Sequence, residues 1–154
     1  MAGEPAVRYI ATGTGADDDE SWRHRVDEHR SRRPATWQTV ETAAVAAALR
    51  DDPHTATVVD DIGGWLTGVL DRQGWDSPVP SPVPGAEADD LIAAVGAFTG
   101  PLVLVSPEVG LTVVSATAAG RRFADEIGVL NQRLAERCDR VVLVVAGQPM
   151  WVKS

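Results

Sequence analysis

The sequence predicts an α/β protein built on a mainly parallel sheet. Three observations carry this. The apolar runs at 57–60, 101–106 and 141–146 are continuous rather than alternating, as in strands covered on both faces. Helix-patterned stretches alternate with them, at 42–50, 86–98 and 118–137. Small or acidic residues stand where strands end, as at Ala11, Asp60 and Ser106, and in open parallel sheets ligands collect beyond those ends.

Each element follows from local pattern. Residues 7–11 (VRYIA) read as a short strand, with a turn over 12–15. Asp17, Asp18, Asp19 and Glu20 then supply a cap and an acidic first turn, which complement a helix dipole. Trp22, Val26, His29 and Arg33 are spaced to share one helix face, and Pro34 stops that helix. Residues 37–40 form a second short strand, and the Ala-rich segment 42–50 a helix ending before Pro53. The strand 57–60 ends in Asp60, and a helix continues through 66–70. Four prolines within 77–85 make that segment a surface loop. A helix over 86–98, a strand over 101–106 and a loop over 107–116 come next. The long helix 118–137 follows, then a strand over 141–146 with 150–153 able to pair beside it. Crossovers between parallel strands are right-handed. The expectation is one nucleotide-binding α/β domain over 1–154, three layers deep.

A chain of 154 residues with 44% apolar and 23% charged residues can bury one sizeable core. No apolar run approaches the roughly 20 residues of a membrane span, and no secretory signal or membrane anchor is expected. The net charge of −8 disfavours nucleic acid as a partner. Yet Arg23, Arg25, Arg30, Arg32 and Arg33 cluster, a patch of the size that suits a polyphosphate. The single cysteine, Cys138, excludes an internal disulfide and fits a reducing cytoplasm, where it serves as a packing residue.

Two residues stand out chemically. His29 lies in the run His29-Arg30-Ser31-Arg32-Arg33. An imidazole can attack phosphorus and hold the transferred group covalently, while guanidinium groups neutralise phosphate oxygens. The same pattern also describes a partly buried histidine beside a solvated charge run. Asp60, at a strand end, is placed to hold Mg²⁺ or to cap the next helix. Glu41 can accept hydrogen bonds from a base or ribose, or cap the helix after it. His24 and His54 read as surface residues, and the five tryptophans as packing residues. No GxxxxGK[ST] phosphate loop occurs within the chain.

Several segments together carry a family resemblance. They are Tyr9-Ile10-Ala11-Thr12, Asp18-Asp19-Glu20, the block from Arg25 through Pro34 to Glu41, Val58-Val59-Asp60 with Trp65-Leu66-Thr67, Glu108-Val109-Gly110, and 128–135. The chain resembles the bifunctional adenosylcobinamide kinase/adenosylcobinamide-phosphate guanylyltransferases of cobalamin biosynthesis. That likeness implies a P-loop type, RecA-like sheet, with the family's N-terminal strand, phosphate loop and first helix missing from this sequence. A start called too late is the favoured reason. It implies that His29 is the guanylylated residue and that Ala11, Thr12, Gly13, Arg30, Ser31, Arg32, Arg33, Glu41 and Asp60 contact the nucleotide, with Asp60 also on the metal. It implies GTP as guanylyl donor, ATP or GTP for the kinase step, and Mg²⁺. The implied partners are adenosylcobinamide and its phosphate, within a small homo-oligomer. Without the phosphate loop the triphosphate loses its cradle, so a second reading stands beside the enzyme: an inactive remnant or paralogue acting as a partner subunit.

Overall fold

The computed structural model of the protein describes residues 6–13, 33–75, 85–111 and 113–154. Four strands form one parallel sheet: β1 (Val7–Ala11), β2 (Trp37–Glu41), β3 (Thr57–Asp60) and β4 (Leu102–Val105), in the order β2-β1-β3-β4. The helices are α1 (Val45–Asp51), α2 (Ile62–Gln73), α3 (Gly85–Ala97) and α4 (Ala118–Arg137). Among the described residues the expected elements are therefore present, with shifts at their ends; the helix expected ahead of Pro34 lies outside them. α1 starts three residues later than expected, because the Thr42 hydroxyl accepts from the Ala44 amide and holds that segment in a turn.

The two faces of the sheet are chemically distinct. Residues in parallel register share a face, and alternate residues along a strand change face. One face carries Arg8, Ile10, Thr57, Val59, Leu102 and Leu104. Ile10 and Val59 are fully buried in a core with Leu49, Ile62, Leu66, Val69, Leu70, Leu91, Ile127 and Leu130 from the four helices. Arg8 is buried there and hydrogen-bonded to neutral oxygens. It donates to Thr57 Oγ1 and, at 2.8 Å each, to the carbonyls of Ala48 and Asp52. It thus fastens β1 to the C-terminus of α1, where the helix dipole favours a cation.

The other face carries Tyr9, Ala11, Trp37, Thr39, Glu41, Val58, Asp60, Val103 and Val105. Val103 is 54% and Val105 45% exposed, so among the described residues this face lacks the second helical cover that the apolar runs predict. The remaining strands depart further. β5 (Val141–Val145) and β6 (Gln148–Lys153) form a separate antiparallel hairpin instead of extending the parallel sheet. Ala146 (φ 50°) and Gly147 (φ 74°) explain it: two successive positive φ values make the tight hairpin turn that matches strand twist. The pairing of 150–153 beside β5 is as expected. No helix among the described residues is long and apolar enough to cross a membrane.

Candidate functional site

The sheet register lines up the strand ends. Glu41 pairs with Ala11, Ala11 with Asp60, and Asp60 with Val105, so these four stand level across β2, β1, β3 and β4. With strands about 4.8 Å apart, the backbones of Glu41 and Asp60 lie about 10 Å from each other. Ala11, Thr12 and Gly13 run out of β1 between them. Glu41 is exposed and belongs to β2, so it does not serve as the helix cap it also resembled.

Asp60 is the chemical centre of this row. It is half-buried, and burial raises its carboxyl above the ordinary Asp range, with the negative charge of Asp61 adding to that. Its Oδ2 accepts a hydrogen bond from the Tyr9 hydroxyl. Tyr9 reaches it diagonally: its register partner is Val58, two residues back on the same face. The guanidinium of Arg33 lies 3.5 Å from the centre of the Tyr9 ring, and its Nη1 donates to Thr39 Oγ1 at 3.1 Å. The Trp37 ring also neighbours Tyr9, its centroid 6.2 Å from that of the tyrosine. Arg33, the last residue of the basic run, is thereby joined to Asp60 through a single aromatic side chain. Tyr9 escaped the sequence reading because a mid-strand tyrosine looks like core. The available signal was its hydroxyl, which needs a partner once buried.

The Thr12 side chain is engaged within the fold itself. It is almost fully buried, and its hydroxyl lies 2.5 Å from the carbonyl of Asp61 and 3.1 Å from that of Asp60. Its one proton is spent on the turn between β3 and α2. That turn needs a pin, because Asp61 holds φ 81°, a left-handed conformation costly for a residue with a Cβ. Beyond it α2 opens with Gly63 and Gly64. A Cβ on Gly63 would fall 2.7 Å from Pro107 Cγ, so the bare backbone lets the loop after β4 close against α2. Asn131 of α4 holds that loop from behind, donating to the Pro107 carbonyl and accepting from Ser106.

His29, Arg30, Ser31 and Arg32 lie outside the described residues, as do His24 and most of the 77–85 loop. His54 is exposed before β3, at the opposite edge of the sheet from Asp60, with Nδ1 2.7 Å from Thr99 Oγ1. Cys138 caps α4, half-buried, and burial pushes its thiol up. Among the described residues no three His, Cys, Asp or Glu side chains gather as a metal cage. One half-buried carboxylate with a second beside it instead fits Mg²⁺, which keeps water and takes other ligands from substrate phosphates.

Comparison with known proteins adds an independent line. A family model described as cobinamide kinase / cobinamide phosphate guanyltransferase matches residues 1–152. The bifunctional adenosylcobalamin biosynthesis protein CobP of Pseudomonas aeruginosa is 41% identical over 155 residues, spanning 97% of this chain and 83% of that protein. The bifunctional adenosylcobalamin biosynthesis protein CobU of Salmonella typhimurium is 35% identical over 159 residues, spanning 97% and 87%. Its namesake in Escherichia coli is 32% identical over 157 residues, spanning 96% and 86%.

Proposed function

This chain belongs to the cobinamide kinase / cobinamide phosphate guanyltransferase family, and on that premise we propose that it moves a guanylyl group from GTP to adenosylcobinamide phosphate in cobalamin biosynthesis. The observation that carries the proposal is the contact chain Arg33–Tyr9–Asp60, which sets the end of the basic run against the strand-end carboxylate. A nucleoside triphosphate requires such a pairing: cations for its phosphate oxygens, and a carboxylate for its counter-cation.

In the proposed reaction the imidazole of His29 attacks the α-phosphorus of GTP. A phosphorus–nitrogen bond forms, the bond to the bridging oxygen breaks, and pyrophosphate leaves. Arg30, Arg32 and Arg33 neutralise the charge that develops on the phosphoryl oxygens, and the Ser31 hydroxyl donates to them. Glu41, at the far end of the row, accepts from the ribose or base. Asp60 would hold Mg²⁺, which supplies charge neutralisation on the triphosphate. A phosphate oxygen of adenosylcobinamide phosphate then attacks the same phosphorus, releasing neutral histidine and adenosylcobinamide-GDP. The preceding kinase step transfers the γ-phosphoryl group of ATP or GTP to the aminopropanol hydroxyl of adenosylcobinamide.

Supplying the protein with α-labelled GTP, Mg²⁺ and adenosylcobinamide phosphate tests this directly. The label is expected in the corrinoid product. Label that stays with GTP, under conditions where the P. aeruginosa relative transfers it, would favour the inactive partner subunit instead.

A further inference from the structure

We propose that Tyr9 is a positioning residue of the nucleotide site, holding the Asp60 carboxylate with its hydroxyl and carrying the Arg33 guanidinium on its ring. The inference rests on the GTP site proposed above and assigns a role to a residue that neither the basic run nor the strand ends include.

The geometry is specific. A phenol has one proton to donate, and Tyr9 commits it to Asp60 Oδ2, which fixes the rotation of that carboxylate and leaves its second oxygen outside this bond. The π face of the ring is occupied by Arg33 at 3.5 Å, close enough for strong attraction between cation and ring. Thr39 Oγ1 accepts from the same guanidinium, and the Trp37 ring lies next to the tyrosine ring, centroids 6.2 Å apart. The backbone beneath is a paired inner strand, so the ring has a rigid base. One side chain therefore sets the mutual position of the group that meets phosphate and the group that meets the metal. A tyrosine serving only to fill the core would need some partner for its hydroxyl, but not a cation held on its ring.

Two variants separate the two functions. Tyr9→Phe keeps the ring and loses the hydroxyl. It is expected to bind a fluorescent GDP analogue in EDTA as the parent does, while requiring roughly tenfold more Mg²⁺ to reach half-maximal Mg²⁺-dependent binding, the usual size of effect when a metal-binding carboxylate loses its supporting bond. Tyr9→Leu loses the ring as well and is expected to bind the analogue roughly fivefold more weakly even without Mg²⁺. A Tyr9→Phe protein with the parent's Mg²⁺ requirement overturns the proposal, as does a Tyr9→Leu protein with the parent's Mg²⁺-free affinity. A second readout does not depend on the variants folding. Tyr9 is the only tyrosine in the chain, so ring-labelled protein gives one tyrosine spin system. That signal should move as Mg²⁺ is titrated into the parent–GDP complex; a signal that stays fixed at Mg²⁺ saturation overturns the proposal. These readouts are independent of turnover, so absent guanylyl transfer counts against the proposed function, whereas an unchanged Mg²⁺ requirement counts against Tyr9.

Discussion

Replacing Thr12 by valine tests whether its hydroxyl is a turn pin or a nucleotide contact. The hydroxyl sits 2.5 Å from the Asp61 carbonyl. A methyl group cannot approach an oxygen that closely; its contact distance is about 3.5 Å, so the turn must move by about 1 Å. The lost hydrogen bond costs about 1 kcal/mol net, because neither carbonyl is orphaned: Asp61 O still accepts from Trp65 N, and Asp60 O from Thr12 N. The displaced turn adds about 1 kcal/mol of strain. Thr12→Val is therefore expected to lower stability by about 2 kcal/mol, which at a urea slope of about 2 kcal/mol/M moves the unfolding midpoint down by about 1 M. Thr12→Ser, which retains the proton, should unfold within about 0.5 M of the parent and bind nucleotide equally well. A valine variant as stable as the parent, with nucleotide affinity alone reduced, would refute the reasoning and return Thr12 to the role of direct ligand.

Other perturbations bear on the same end of the sheet. Asp60→Asn should raise the melting temperature at pH 7 while abolishing Mg²⁺-dependent nucleotide binding. Burial and Asp61 raise the Asp60 carboxyl, so the native state pays to keep it charged above that pKa. The asparagine's advantage should shrink as pH falls through it and Asp60 gains its proton; an advantage that grows in acid would contradict the assignment. At Gly63, alanine gains about 1 kcal/mol of helix propensity but meets Pro107 Cγ at 2.7 Å, giving a net loss of about 1 kcal/mol by urea denaturation. Gly68→Ala, whose nearest neighbour is the flexible Arg72 head group at 3.5 Å, should gain about 0.5–1 kcal/mol. Equal responses at the two glycines would rule out a close approach of the 107–111 loop to α2.

Much of this architecture is legible in the sequence, for identifiable reasons. Continuous apolar runs mark β3 and β4, and the strand-end rule places Ala11 and Asp60 on one edge. α4 is bounded as expected because Thr117 caps it, accepting from the Gly120 amide. Local pattern is silent about pairing partners. Val141–Val145 is as apolar as a parallel strand, and only the backbone at Ala146 and Gly147 turns it into a hairpin. The asymmetry of the sheet is hidden for a related reason: Leu104 and Val105 are alike in composition, yet Val105 faces outward beside Asp60 and Leu104 packs on the core. Tyr9 is hidden because its partner lies 51 positions away in the chain. The role proposed for His29 comes from the family likeness, since its own pattern more readily describes a partly buried histidine beside a solvated charge run.

The most direct test of the account is the site of covalent attachment. After incubation with GTP and Mg²⁺ and a rapid quench at alkaline pH, peptide mass mapping should find one guanylyl group on the peptide containing His29. The adduct should be lost in acid and absent from His29→Ala. A guanylyl group on any other residue, or an undiminished adduct in His29→Ala, would contradict the account.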